Sequence, residues 1–281
     1  MNITINRCTS LEELFQAVKN AKPPLYFLNG GTDLMVLAKA NLIPESTWFD
    51  ISDIQALKGI KEEGDNLVIG AGVTHTELAE SELVRRHALA LAEAASNVGG
   101  PQIRNRGTIG GNLANGSPAA DTSPALVSLG ASAVLLSERG ERTVLVEKYA
   151  LGNRRTVREP DEIIARFIVP IRPGVKGHWK AMSQRKALSI SKISMAVSCV
   201  LDGDKFSYLR IGLGSVAATV RRAEKAEAIL LEGGWNEEVL AQACAALSAE
   251  INPISDVRSS AEYRKAMGGV MLGDIMHEML I

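Results

Sequence analysis

Between positions 99 and 116 the chain carries six glycines, Gly99, Gly100, Gly107, Gly110, Gly111 and Gly116, interleaved with Arg104, Asn105, Arg106, Thr108 and Asn112. A long helix or strand does not hold glycine at that density, because each costs roughly 0.5–1 kcal/mol relative to alanine inside a regular element. The segment is therefore read as turns, or as a place where backbone approaches something closely. Regular structure borders it on both sides. Ala88 to Val98 is an Ala/Leu-rich helical stretch that stops at Gly99-Gly100-Pro101, and Asp121 to Leu129 reads as a helix with Asp121 at its cap. A second pair, Gly30-Gly31, follows the apolar run Leu25-Tyr-Phe-Leu28 and precedes a helical stretch from Leu34 to Ala40, giving strand, glycine turn, helix.

Both turns are rich in hydroxyl and amide side chains, from Asn29 to Asp33 in one and from Thr108 to Ser117 in the other. Closely spaced backbone N–H groups at such turns converge on phosphate. Gly30, Gly31, Gly110 and Gly111 would admit a ligand near the backbone, with Thr32, Thr108 and Asn112 as donors and Arg104 and Arg106 adding positive charge. One Gly-Gly pair alone is equally a tight turn in an α/β protein. Two with matching chemistry point to a shared anionic ligand.

Elsewhere, Ile3 to Ile5 reads as a strand, and Ser10-Leu-Glu-Glu13 as a capping box that opens a helix. Strands are expected at Thr47–Ile51 and Asn66–Gly70, followed by a second capping box at Thr74–Glu77. Ala131–Leu136 pairs with Thr143–Val146, and Ile163–Pro170 closes this half. After the linker-like Arg172–Gly177, strands at Trp179–Arg185, Ile193–Leu201 and Phe206–Leu213 precede helices at Val220–Leu231, Asn236–Ala249 and Ser259–Leu280. The pattern predicts an α+β fold in two units, residues 1–172 and 176–281, the second a three-stranded antiparallel sheet with helices.

Several function classes are excluded. Thirty-one basic against 32 acidic side chains give a formal charge of -1, which removes the electrostatic case for nucleic acid or an anionic membrane surface. The longest nearly apolar stretch, Ala125–Leu136, is interrupted and short of the roughly 20 residues of a membrane span. The N-terminus has no secretory signal pattern, so a cytoplasmic location is the expectation. Cys8, Cys199 and Cys244 form no CxxC pair, and His75, His87, His178 and His277 are scattered, so no metal set is expected. No Gly-Lys dipeptide exists, hence no P-loop. Gly212-Leu-Gly214-Ser-Val-Ala217 fits the GxGxxA fingerprint in spacing but is followed by helices where a parallel strand is required, so it reads as a strand end. No nucleophile or acid/base set stands out, and no catalytic residue is assigned. Dinucleotide-like turns without such a set suit a cofactor carrier, whose residues supply position and polarity.

At these turns the sequence resembles the FAD-binding medium subunits of the molybdenum hydroxylases, the xanthine dehydrogenase and aerobic carbon monoxide dehydrogenase group. Leu28-Asn-Gly-Gly-Thr-Asp-Leu34 is similar to the first flavin loop of that family, and Gln102 to Asp121 to the second. Glu162 to Pro170, Leu209 to Ala217 and Asp256 to Arg264 extend the likeness along the chain. The resemblance implies a two-lobed FAD-binding domain of the vanillyl-alcohol oxidase (PCMH) type, with lobes at about 1–57 and 58–172, and a C-terminal flavoprotein domain. It implies non-covalent FAD, with Phe27, Leu28, Asn29, Gly30, Gly31, Thr32 and Asp33 around the diphosphate, and Thr108, Ile109, Gly110, Gly111 and Asn112 on its other side. Asp121 would take a ribose or adenosine hydroxyl, and Lys180 would lie near the flavin. Ala114 falls near the expected ring position, where similar proteins place a larger aliphatic residue.

The activity it implies is electron relay: molybdopterin on a large subunit, two [2Fe-2S] clusters on a small subunit, and FAD here passing electrons to NAD or another acceptor. The turn wording is closer to the xanthine and nicotinate dehydrogenase side. A nucleotide- or FAD-binding scaffold without redox turnover and a stand-alone flavin oxidase stand as alternatives.

Overall fold

The structure is a computed structural model and describes residues 4–185 and 188–280; Ile3 of the expected first strand lies outside them. The chain begins with β1 (Thr4–Arg7), α1 (Leu11–Lys19), β2 (Leu25–Leu28), α2 (Leu34–Lys39) and β3 (Thr47–Asp50). The strands form a parallel sheet in the order β1-β3-β2. Trp48 and Phe49 of β3 are fully buried, and Phe27 stacks on Phe49 at 5.7 Å between ring centroids. Ser10 caps α1 by accepting from the Glu13 N–H, as its capping-box sequence predicts. Because β2 is parallel to β3 and ends at Leu28, the first glycine turn emerges at the carboxyl end of this sheet.

The next elements are β4 (Ile60–Glu63), β5 (Asn66–Gly70), α3 (His75–Glu80), α4 (Glu82–His87), α5 (Leu89–Asn97), α6 (Pro101–Arg104), α7 (Ile109–Ala114) and α8 (Thr122–Ser128). They continue with β6 (Ser132–Ser137), β7 (Gly140–Leu145), α9 (Val146–Tyr149), β8 (Ala150–Gly152), β9 (Arg155–Thr156) and β10 (Ile163–Pro170). A five-stranded sheet, β4-β5-β10-β6-β7, is antiparallel throughout. Leu67, Ile69, Phe167 and Val169 from it join the alanines and leucines of α5 in one core. Thr74 and Glu77 complete the second capping box, starting α3. A helix does stop at Gly99-Gly100, but Pro101 then opens the short α6, since proline at the first helical position loses no needed N–H.

The remaining elements are β11 (Lys176–Met182), β12 (Ile193–Asp202), β13 (Lys205–Gly214), β14 (Arg221–Arg222), α10 (Glu224–Gly233), α11 (Glu237–Glu250) and α12 (Ala261–Leu280). Three long antiparallel strands carry the two-residue β14 on one edge. The helix expected from Val220 starts only at Glu224, because Arg221 and Arg222 pair with Leu213 and Gly212 first. Along β12 the side chains alternate. Ile193, Met195, Val197 and Cys199 belong to the core with the three C-terminal helices, whereas Ala196 belongs to the core with α5 and α8. All seven residues of α8 are buried. A β-carbon at Gly212 would overlap the Pro124 carbonyl, and one at Gly214 would meet Ser194 and Pro124. The glycines of the GxGxxA match are thus explained by contact with α8, and no βαβ unit follows them. No helix among the described residues is long and apolar enough to cross a membrane, and none of their His, Cys, Asp and Glu side chains form a group of three able to hold a metal.

Candidate cofactor site

A cavity of about 360 Å³ lies where β2, α7 and the start of β10 meet, lined by residues 25–34 on one side and by Gly107, Thr108, Gly110, Gly111 and Asn112 on the other. The two glycine turns, some 80 positions apart in sequence, are brought into contact. Asn115 donates to Asp33, tying one to the other. Gly30 sits so close to the second segment that a β-carbon would overlap the Arg106 carbonyl.

Phe27, Leu28, Asn29, Gly30, Gly31, Thr32 and Asp33 all line the cavity. The backbone N–H groups of Asn29 to Asp33 donate to no other described residue. Unpaired backbone donors are costly unless water or a ligand takes them. A continuous row of them on a turn is the donor set an anion requires. Gly31, at φ +74°, holds the left-handed conformation that bends the row.

The second turn differs from the sequence expectation. The N–H groups of Ile109, Gly110, Gly111 and Asn112 already donate to Val73 O, Ala71 O, Thr108 Oγ1 and Thr108 O. These bonds make the segment a helical turn despite its Gly-Gly core. A β-carbon at Gly110 would lie 2.7 Å from Ala71, so Gly110 serves packing, whereas at Gly111 the nearest atom would be Thr108 Oγ1 at 3.2 Å. Gly111 is the open face. Asn112 Oδ1 accepts from the Thr122 hydroxyl at 2.6 Å, which leaves its amide N–H groups as donors. Ala114 lines the cavity, and its carbonyl accepts from the Tyr149 hydroxyl at 3.2 Å.

Three expected residues lie off the cavity wall. Ile109 is fully buried in the core, because its place in the first turn of α7 points it inward. Lys180 pairs with Glu278 at 2.5 Å. Alternation on β11 is the cause: the Trp179 indole donates to Asp121 O, so Lys180 takes the opposite face, toward α12. Asp121 does not cap α8 with its side chain, since its own backbone is helical at φ −66° and ψ −35°. Its Oδ1 instead accepts from the Ser191 hydroxyl at 3.1 Å, and burial pushes its pKa up to about 6. Asp121 directly follows the lining residues Ala119 and Ala120.

The cavity also recruits residues that spacing did not single out. His75, 2% exposed, lines it at the start of α3, where burial and then Arg104 hold its pKa down at about 4. Arg158 stands 5.8 Å from the Phe27 ring centroid and donates to the Glu162 carbonyl, and Glu162 is itself paired with Arg142. His75 comes from α3, whereas Arg158 and Glu162 share the loop between β9 and β10, and only His75 carried a local signal, its position just after the capping Thr74.

An apolar wall from Phe27, Ile51 and Ile103 beside a row of free backbone donors is a site for a molecule with a ring system and a diphosphate. With the small parallel sheet, the antiparallel sheet beside it and the cavity at their junction, the chain is of the two-lobed dinucleotide-binding class. Residues 1–172 match the family described as FAD binding domain in molybdopterin dehydrogenase, and residues 178–279 the one described as CO dehydrogenase flavoprotein C-terminal domain. The chain belongs to this family of FAD-binding oxidoreductase subunits. The carbon monoxide dehydrogenase medium chain of Hydrogenophaga pseudoflava is 34% identical over 245 residues, covering 87% of this chain and 85% of the relative. The xanthine dehydrogenase FAD-binding subunit of Escherichia coli O157:H7 is 33% identical over 260 residues, covering 91% and 89%. A solved structure of the Hydrogenophaga pseudoflava carbon monoxide dehydrogenase lacking the Mo-pyranopterin moiety superposes with a TM-score of 0.94 at 32% identity, over 99% of this chain and 96% of that one. Identity to the carbon monoxide and xanthine relatives is nearly equal, so overall similarity selects no substrate.

Proposed function

We propose that this chain relays electrons, holding FAD non-covalently between its two glycine turns within an assembly that also contains a molybdopterin-binding large subunit and a [2Fe-2S] small subunit. The observation that carries the reading is the row of unpaired N–H groups from Asn29 to Asp33, on residues that line the same cavity as the uncrowded Gly111. Those N–H groups and the Thr32 hydroxyl bind the diphosphate, and Thr108, Gly111 and the Asn112 amide close its other side. Gly30 and Gly110 act by letting the two segments and the neighbouring strand come near enough to form the wall. Asp121 takes a ribose or adenosine hydroxyl through Oδ2, which accepts from no described residue. Phe27, Ile51 and Ile103 exclude water from one flank.

Bound FAD would supply a carrier that accepts electrons from a cluster and returns them to NAD or another acceptor; the chain's own residues bind, orient and shield it. No acid or base is assigned, which suits a subunit where no organic substrate is transformed. The turn wording favours the xanthine and nicotinate side of the family, and the substrate itself is set by the large subunit.

The test is rapid mixing of the FAD-loaded assembly with the large subunit's substrate. Bleaching of the visible flavin band at a rate matching turnover is expected. A flavin that stays oxidised leaves a binding scaffold, and substrate turnover by the isolated chain leaves a self-sufficient oxidase.

A further inference from the structure

His75 stands where the two turns meet. Its backbone N–H donates to Gly107 O at 3.0 Å, and the preceding Thr74 bridges to Thr108. A β-carbon on Gly107 would lie 3.0 Å from Ile103 O and 3.2 Å from both His75 Cδ2 and Thr32 Oγ1. The missing side chain thus lets the imidazole edge and the Thr32 hydroxyl close on the same stretch of backbone, at the wall of the cavity that all three residues line. Nδ1 is buried without a hydrogen-bond partner among the described residues. Nε2, bonded to Cδ2, is therefore the nitrogen on the side of Gly107 and Thr32. A buried imidazole is normally partnered on both nitrogens where geometry allows, and this one has no partner from the protein.

We propose that His75 is a cofactor-binding residue, meeting the dinucleotide's diphosphate through Nε2 and taking up a proton as it does so. This rests on FAD being the ligand, as argued above. The charge around the ring supports it. Arg104 is the charged group that acts on His75, and it opposes protonation in the free chain. Arg106 follows α6, and Arg158 lies across the cavity. Asp33 is engaged by Asn115. On its own helix, Glu77 closes the capping box with Thr74, and Glu80 lies at the far end. From α5, Glu93 accepts from the Trp179 N–H; from α4, His87 pairs with Glu62, alongside Glu82, Arg85 and Arg86. None of these carboxylates is placed to charge the ring, so the free chain keeps it neutral. A diphosphate brings the missing negative charge into a poorly solvated space, where its attraction for an imidazolium is strong.

The experiment is calorimetric titration of the full chain with FAD over about pH 5 to 8, in two buffers of different ionisation enthalpy, which yields the protons taken up on binding. The wild type is expected to take up a fraction approaching one proton at the acid end. FAD dissociation constants should rise by up to about tenfold per pH unit and then level off. His75→Gln and His75→Asn should lose the uptake and flatten the pH profile while the flavin still binds. Binding of FAD by the wild type with no proton uptake, or uptake undiminished in both variants, overturns the proposal and leaves the FAD assignment standing. A wild-type chain that binds no FAD at any pH removes the assignment itself and the proposal with it.

Discussion

Two groups, the buried His75 on the cavity wall and the half-buried Asp121 that follows the lining residue Ala120, titrate in opposite senses in the FAD-free chain. His75 binds its proton near pH 4 in place of 6.5, so between those values the unfolded chain holds a proton there that the folded chain refuses. Stability from this group is complete above pH 6.5 and is lost as pH falls toward 4. Asp121 behaves oppositely. Its pKa rises from 3.8 to about 6, so in that interval the folded chain keeps a proton that the unfolded chain releases, and stability is lost as pH rises. At 1.36 kcal/mol per pH unit each amounts to about 3 kcal/mol, somewhat less for Asp121 because its carboxylate keeps partial contact with water. The two slopes nearly cancel between about pH 4 and 6.

Either group can be unmasked by removing the other. Asp121→Asn preserves an acceptor for the Ser191 hydroxyl but abolishes the titration, and should make stability fall by about 2 kcal/mol relative to wild type between pH 6.5 and 4. His75→Gln should do the reverse, gaining 2–3 kcal/mol relative to wild type, roughly, as pH drops across the same interval. Urea unfolding of the FAD-free proteins at several pH values, followed by tryptophan fluorescence, gives the midpoints. Trp179 is a suitable reporter because its indole N–H donates to Asp121 O. Differences from wild type cancel the titrations common to all three chains. Parallel pH profiles for Asp121→Asn and wild type would refute the reasoning.

Gly111→Val should weaken FAD binding at least about tenfold while costing roughly 1 kcal/mol of stability or less, since its side chain would enter the open face; equal affinity in flavin titrations refutes that placement. Gly212→Ala, by contrast, should destabilise by about 3 kcal/mol without touching FAD affinity, because its β-carbon meets the Pro124 backbone, which cannot swing aside; chemical denaturation checks this. Lys180→Ala removes a half-exposed ion pair with Glu278 and should change stability by less than about 1 kcal/mol and FAD affinity not at all; weakened binding would return Lys180 to the flavin.

Most of the fold follows from local signals. The apolar run Leu25–Leu28 ending at Gly30-Gly31 forms the strand and turn it predicts, and Thr74 with Glu77 starts a helix in full capping-box geometry. Propensity misleads at Ile109–Ala114, where a Gly-Gly pair inside six residues reads as a turn. Carbonyls of Ala71 and Val73, from a strand end about 40 positions earlier, hold it helical instead. The two-residue β14 escaped notice because its arginines carry no strand pattern and its pairing is set by β13. Within the site, the turn at Asn29–Asp33 was legible because what it presents is backbone N–H groups, which glycine content announces. His75, Arg158 and Glu162 were not, since they reach the cavity from α3 and from the loop before β10, and no sequence spacing records that meeting. The side that Lys180 takes is set by the alternation of β11, which its position in the sequence does not record.

The burial of α8 has a consequence for how this protein can be taken apart. Seven consecutive buried residues pack against α5 and α7 of the same unit and against β12 and β13 of the C-terminal sheet. Cutting the chain in the exposed Pro173–Gly174 segment would sever the covalent thread but not the shared interior. The nicked halves should stay together through gel filtration, and neither expressed alone should be a well-behaved product. Any scheme that recombines flavin domains and tails from different relatives would then have to carry the Pro124–Gly212 contact across the seam as a matched pair.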